Sequence, residues 1–152
     1  MRFVLGVGVN ISHLIEQNSA APYGSRNAAL IIAAVCWGLT PIELSLLSVE
    51  DVIAPSGEFY RIWVLPEHAS FNGEHLLPFF EGYADFRLRN DWAITNRNFH
   101  RGLNPNSKFF LNDKGEPFKL TERNHNPGTF QPRAMTEHIK KMLSKTSLFG
   151  AT

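Results

Sequence analysis

Apolar positions dominate one stretch of this chain. From Ala28 to Leu39 polar side chains are nearly absent, and from Ile42 to Val52 apolar residues recur at helical spacing. The first part predicts a helix from Arg26 to about Trp37, capped by Ser25. It is apolar almost all round, so its expected place is the core. Gly38 predicts a turn. Thr40-Pro41-Ile42-Glu43 then predicts a second helix start. Thr at the N-cap and Glu three residues on form a capping box, and Pro at the first helical position has a suitable φ and no N–H to waste. The helix that follows should carry Ile42, Leu46 and Val49 on one stripe, with Leu44 and Leu47 beside it, before an acidic exit at Glu50-Asp51.

The flanking segments are shorter and more mixed. Residues 1–9 lack helical periodicity and read as a strand or a loose arm. Residues 10–16 predict a short helix, with Asn10 or Ser12 as cap and Ile11, Leu14 and Ile15 on one face. Residues 17–24 read as loop. Residues 59–65 predict a strand rich in β-branched and aromatic residues, ended by Pro66. Asn72-Gly73 is a hairpin turn signal, and residues 75–78 are the return strand. Phe80, Tyr83, Ala84, Phe86 and Leu88 predict a helix over about 79–93, with Arg87, Arg89 and Asn90 outward. Periodicity is poor over 94–130, apart from Phe109-Phe110-Leu111 and a turn at 112–117; residues 121–130 read as loop. Pro132 at the first helical position opens a last helix to about Lys145, with Ala134, Met135, His138, Ile139 and Met142 inward.

Composition adds little beyond a globular balance. The chain has 152 residues, 43% hydrophobic and 19% charged, which suits one folded domain rather than disorder. The net charge of +1 argues neither for nor against a nucleic-acid partner. Its distribution is uneven. The first 60 residues hold only Arg2 and Arg26 as basic residues, whereas Arg87, Arg89, Arg97, Arg101, Lys108, Lys114, Lys119, Arg123 and Arg133 follow. A basic second half either faces phosphates or is an ordinary solvated surface. On the first reading Arg87, Arg89, Arg97, Arg101 and Arg123 are the DNA-binding candidates.

Cys36 is the lone cysteine, so a disulfide framework within the chain is excluded, and its apolar surroundings predict a small buried hydrophobe. The histidines show no metal-type spacing and Cys-x-x-Cys is absent, so no metal site is expected. Gly6-Val-Gly8 lacks the third Gly of a dinucleotide loop, and no cofactor is expected. The apolar run is well short of the ~20 residues that span a bilayer. Asn10 and His13 interrupt the faintly signal-like N-terminus. No membrane partner and a cytoplasmic location are therefore expected.

The order of motifs resembles the opening of the catalytic domain of tyrosine recombinases (phage-type integrases). Gly38-Leu39, Glu43-Leu44, Leu46-Leu47 and Asp51-Val52 fit that family's Gly-Leu-Arg, Glu-Leu, apolar pair and acidic exit. Phe110-Leu-Asn-Asp-Lys-Gly-Glu-Pro117 is similar to its "Phe, polar, Gly, polar, Pro" element. The resemblance covers roughly residues 20–152. It implies a mainly α (α+β) fold, with a helical recombinase-type domain carrying a small antiparallel β-hairpin and incomplete at its C-terminal end. Residues 1–24 would be an N-terminal arm or short helix, and 25–152 the partial catalytic domain.

The resemblance also implies a chemistry that this chain departs from. A tyrosine hydroxyl attacks a DNA phosphodiester, and arginines stabilise the charge that develops on the phosphate oxygens. Thr40 stands where the family's first catalytic Arg would be, which makes it a degenerate site position. The hairpin segment 67–74 holds no Lys or Arg to act as general acid; His68 or His75 could in principle donate a proton, but neither is the residue the family uses. The family's His-x-x-Arg and nucleophilic Tyr would follow Thr152, and Tyr23, Tyr60 and Tyr83 sit on the wrong elements. No catalytic residue is assigned. The expectation is an integrase-like protein associated with DNA integration and recombination but inactive as this chain. Its expected partners are DNA, held weakly through phosphates, and a second copy of itself. A non-enzymatic DNA-binding or dimerisation module and an unrelated soluble helical domain are the rival readings.

Overall fold

The computed structural model describes residues 11–20, 22–60, 64–65, 75–76 and 83–144. About half of the described residues are helical and the strands are short, which makes this a mainly helical α+β fold. Six α-helices occur among the described residues: α1 (Ile11–Gln17), α2 (Gly24–Ile31), α3 (Pro41–Leu46), α4 (Val49–Val52), α5 (Tyr83–Asn98) and α6 (Arg133–Leu143). Strands β1 (Val64–Leu65) and β2 (His75–Leu76) pair antiparallel, with Val64 opposite Leu76. Strands β3 (Thr121–Glu122) and β4 (Phe130–Gln131) form a second antiparallel pair, with Thr121 opposite Gln131. The expected arm at 1–9, the caps at Asn10, and the hairpin tip at 67–74 with His68 lie outside the described residues.

Helix α2 is the centre of the core. Ala28 through Ala34 are all buried, and α5 packs along α2. The helix starts one residue before the expected cap. Ser25 lies inside it, and Tyr23 at the N-cap makes no side-chain capping bond. Gly24 explains the early start. A Cβ there would stand 2.2 Å from the Ser19 carbonyl oxygen, so only glycine lets the returning loop touch the helix. The helix then widens into a π-helical segment, Ile32–Cys36, that periodicity did not foretell. Gly38 (φ 68°) reverses the chain as expected, and the Leu39 N–H donates to the Ala33 carbonyl at 3.1 Å.

The expected single helix after Thr40 is two. α3 stops at Leu46, Leu47 turns extended, and α4 begins at Val49. The break has a long-range cause. The Phe109 N–H donates to the Leu47 carbonyl at 2.7 Å, and the Val49 N–H donates to the Ser107 carbonyl at 2.9 Å, so this stretch pairs as a strand. Asp51 helps the restart by accepting the Ser48 N–H at 2.9 Å. The buried set is accordingly Leu44, Leu47, Val49 and Val52, while Ile42 and Leu46 of the expected stripe are only half-buried.

α1 contributes Leu14 and Ile15 to the same buried cluster as α2, α5 and α6. α5 runs past the expected end at 93 to Asn98, burying Leu88 and Trp92. Phe86, expected among the apolar positions of that helix, is 64% exposed. The stretch 121–130, read as loop, closes through the β3–β4 pair. α6 begins at Arg133 with Pro132 at its N-cap, and Met135, Ile139 and Met142 face inward. Cys36 is half-buried rather than fully buried, and burial pushes its thiol above the ordinary value. No helix among the described residues is long and apolar enough to cross a membrane.

Candidate nucleic-acid interface

Thr40 anchors the candidate site. Its backbone is extended (φ −77°, ψ 161°), and its hydroxyl accepts the Glu43 N–H at 3.3 Å. The Glu43 carboxylate reaches back, accepting the Thr40 N–H at 2.8 Å and the Thr40 hydroxyl at 2.9 Å. The capping box is therefore formed in full. Both residues are buried, with Thr40 3% and Glu43 0% exposed. The hydroxyl is committed to this local network.

Thr40 lies at the edge of an open cavity of about 530 Å³ between the start of α3, the β3–β4 pair and α6. Arg123 enters from the connection just after β3, Phe130 from β4, and Arg133, Glu137 and Lys140 from α6. The α6 residues share one face because they stand four and three positions apart. The opposite stripe of Met135, Ile139 and Met142 is in the core, which turns Arg133, Glu137 and Lys140 outward. Arg123, Arg133 and Lys140 are exposed, so among the described residues three cations and one carboxylate border the opening.

The five arginines singled out from sequence have different fates. Arg123 borders this cavity. Arg97 is exposed in the last turn of α5. Arg87 donates through Nε to Asp91 at 2.9 Å, one turn along the same helix. Arg89 donates to the Tyr60 carbonyl at 3.1 Å and lies over the Phe59 ring at 5.4 Å. Both are half-buried, whereas the periodicity placed them outward with Asn90, which alone of the three is exposed. Arg101 donates to the Phe109 carbonyl at 2.9 Å and to the Ser107 hydroxyl at 3.1 Å, with its guanidinium 5.2 Å over Trp92. Burial pulls its pKa below the ordinary arginine value.

Arg133 and Lys140 were not singled out from sequence. Their signal is the spacing 133, 137, 140 on the side of α6 opposite the spacing 135, 139, 142. Among the described residues no cluster of three or more His, Cys, Asp or Glu side chains could hold a metal ion. No protein-family model, curated protein or solved structure matches this chain. The likeness to tyrosine recombinases rests on the sequence motifs.

The capping assignment gives a first prediction. Thr40→Ala removes the acceptor of the Glu43 N–H and should lower stability by ~1 kcal/mol. Urea denaturation followed by circular dichroism measures it. An unchanged midpoint would contradict the assignment.

Proposed function

We propose that this chain is an integrase-like, recombinase-fold protein that docks on the DNA backbone and does not itself cut or join it. The observation that carries the reading is the gathering of Arg123, Arg133 and Lys140 around the cavity beside Thr40, with Glu137 as the opposing carboxylate. Exposed cations on one opening are suited to several phosphates at once, and such contacts bind every sequence alike. The order of motifs from Gly38 to Pro117 favours DNA over other polyanions. A cytoplasmic site of action fits that partner.

The chemistry is the part we propose to be missing. A guanidinium clamps a phosphate through two parallel N–H donors, which a threonine hydroxyl cannot supply. Here that hydroxyl is also turned to Glu43. Tyr23 and Tyr60 border other cavities, so neither hydroxyl lines this one. Incubation with a nicked suicide duplex should yield no covalent protein–DNA adduct on a denaturing gel, while the same duplex is retained in a native gel at low salt. A covalent adduct would overturn the claim of inactivity. Failure of retention would overturn the claim of binding.

A further inference from the structure

A second cavity, of about 340 Å³, lies between the end of α5, Tyr23 and the turn that follows Phe109. Its rim is locked in place. The Tyr23 hydroxyl donates to the Asp113 carbonyl at 2.7 Å. Arg26, 5% exposed, donates to the Asp113 carboxylate at 2.6 Å and to the Leu111 carbonyl at 3.3 Å. Asn112 closes the turn by accepting the Lys114 and Glu116 N–H groups at 2.9 and 3.0 Å. A rim held this way needs little ordering when something binds.

The walls are aromatic. Tyr23 and Phe99 lie parallel, 2° between planes and 5.6 Å between centroids, and Trp92 and Phe109 form the floor. The charge is unbalanced. Among the described residues Arg26, Arg101 and Lys114 line the cavity against one carboxylate, Asp113, and Arg26 already holds Asp113. Among the described residues Arg101 bonds neutral oxygens, those of Phe109, Ser107 and Lys108. A guanidinium carries five N–H donors, so two remain. These are the Nε–H and one Nη1–H, which point to different sides of the guanidinium, so Arg101 can give a compact, singly charged carboxylate one charge-assisted hydrogen bond.

We propose that this cavity binds a small aromatic carboxylate, with its ring against the Tyr23–Phe99 wall and its carboxylate at Arg101. The volume is at the lower end of small-molecule sites, which limits the ligand to one or two rings. The site is independent of the DNA-docking reading.

The test uses the whole chain, ¹⁵N-labelled, and follows the Trp92 indole N–H resonance. That N–H donates to the Phe109 carbonyl at 2.7 Å, the same oxygen that accepts from Arg101. The probes are indole-3-acetate, indole-3-acetamide, cyclohexylacetate and adenosine 5′-monophosphate. Indole-3-acetate should shift the resonance saturably and bind roughly tenfold or more tighter than the amide, the size of one charged hydrogen bond. Phe99→Ala should weaken it by on the order of tenfold through the lost wall. Phe130→Ala, at the other cavity, should leave it unchanged. Phe99 is 41% exposed, so its removal spares the core. No shift with indole-3-acetate would overturn the proposal. So would equal binding of the amide or of cyclohexylacetate, tighter binding of the nucleotide, or indifference to Phe99→Ala.

Discussion

Phe109→Ala should lower the stability of this protein by ~3–5 kcal/mol, the usual range for a core phenylalanine. Phe109 is 0% exposed. Its ring stacks on Trp92 at 4.6 Å, with 4° between planes, and meets Phe110 edge-on at 4.9 Å. Truncation would leave a void between α5 and the 47–49 segment. It would also strip Trp92 of its stacked ring, leaving its indole N–H on the retained backbone carbonyl of residue 109. Domains are stable by only about 5–15 kcal/mol, so a large share of the total is at stake. Urea denaturation of wild type and variant, compared at equal slope, reads the difference. Phe86→Ala is the control: at 64% exposure it should change stability by no more than about 0.5 kcal/mol. A loss below about 1 kcal/mol for Phe109→Ala, smaller than any usual Phe→Ala loss in a core, would mean that Phe109 is not at the packing centre.

What could be read from sequence was local. The capping box at Thr40 and Glu43 involves residues three apart, and the sequence names both partners. The inward face of α6 follows from its own spacing in the same way. The break between α3 and α4 was not readable, because its cause lies some sixty residues away in the pairing of Leu47 and Val49 with 107–109. Helical periodicity continued across it and carried the stripe one helix too far.

The arginines repeat that lesson at the candidate site. As letters, Arg87, Arg89, Arg101 and Arg123 are alike. Their roles depend on which oxygens the fold brings near. Arg101 meets the Phe109 and Ser107 oxygens because the chain after α5 turns back over Trp92. Arg89 meets the Tyr60 carbonyl, far away in sequence. Arg123 meets open space beside Arg133 and Lys140. Charge clustering along the chain located the basic half but not the basic opening. Arg26 was the opposite case: a charge at the head of an apolar helix, it is buried and holds the turn at Asp113.

The central proposal is phosphate docking at the cavity bordered by Arg123, Arg133 and Lys140. The direct measurement is the salt dependence of duplex binding by fluorescence anisotropy, for wild type and for the triple alanine variant at these positions. Each neutralised phosphate contributes about 0.9 to the slope of log K against log salt, so three contacts give a slope near −2.7. The triple variant should lose up to about 2.7 units of slope, equally for two unrelated sequences. Arg87→Gln, which removes a cation already paired with Asp91, should leave the slope unchanged. All three triple-variant positions are exposed, so its fold should persist, and circular dichroism checks that. A folded triple variant that keeps the wild-type slope would contradict the account, as would wild type that fails to bind either duplex at low salt.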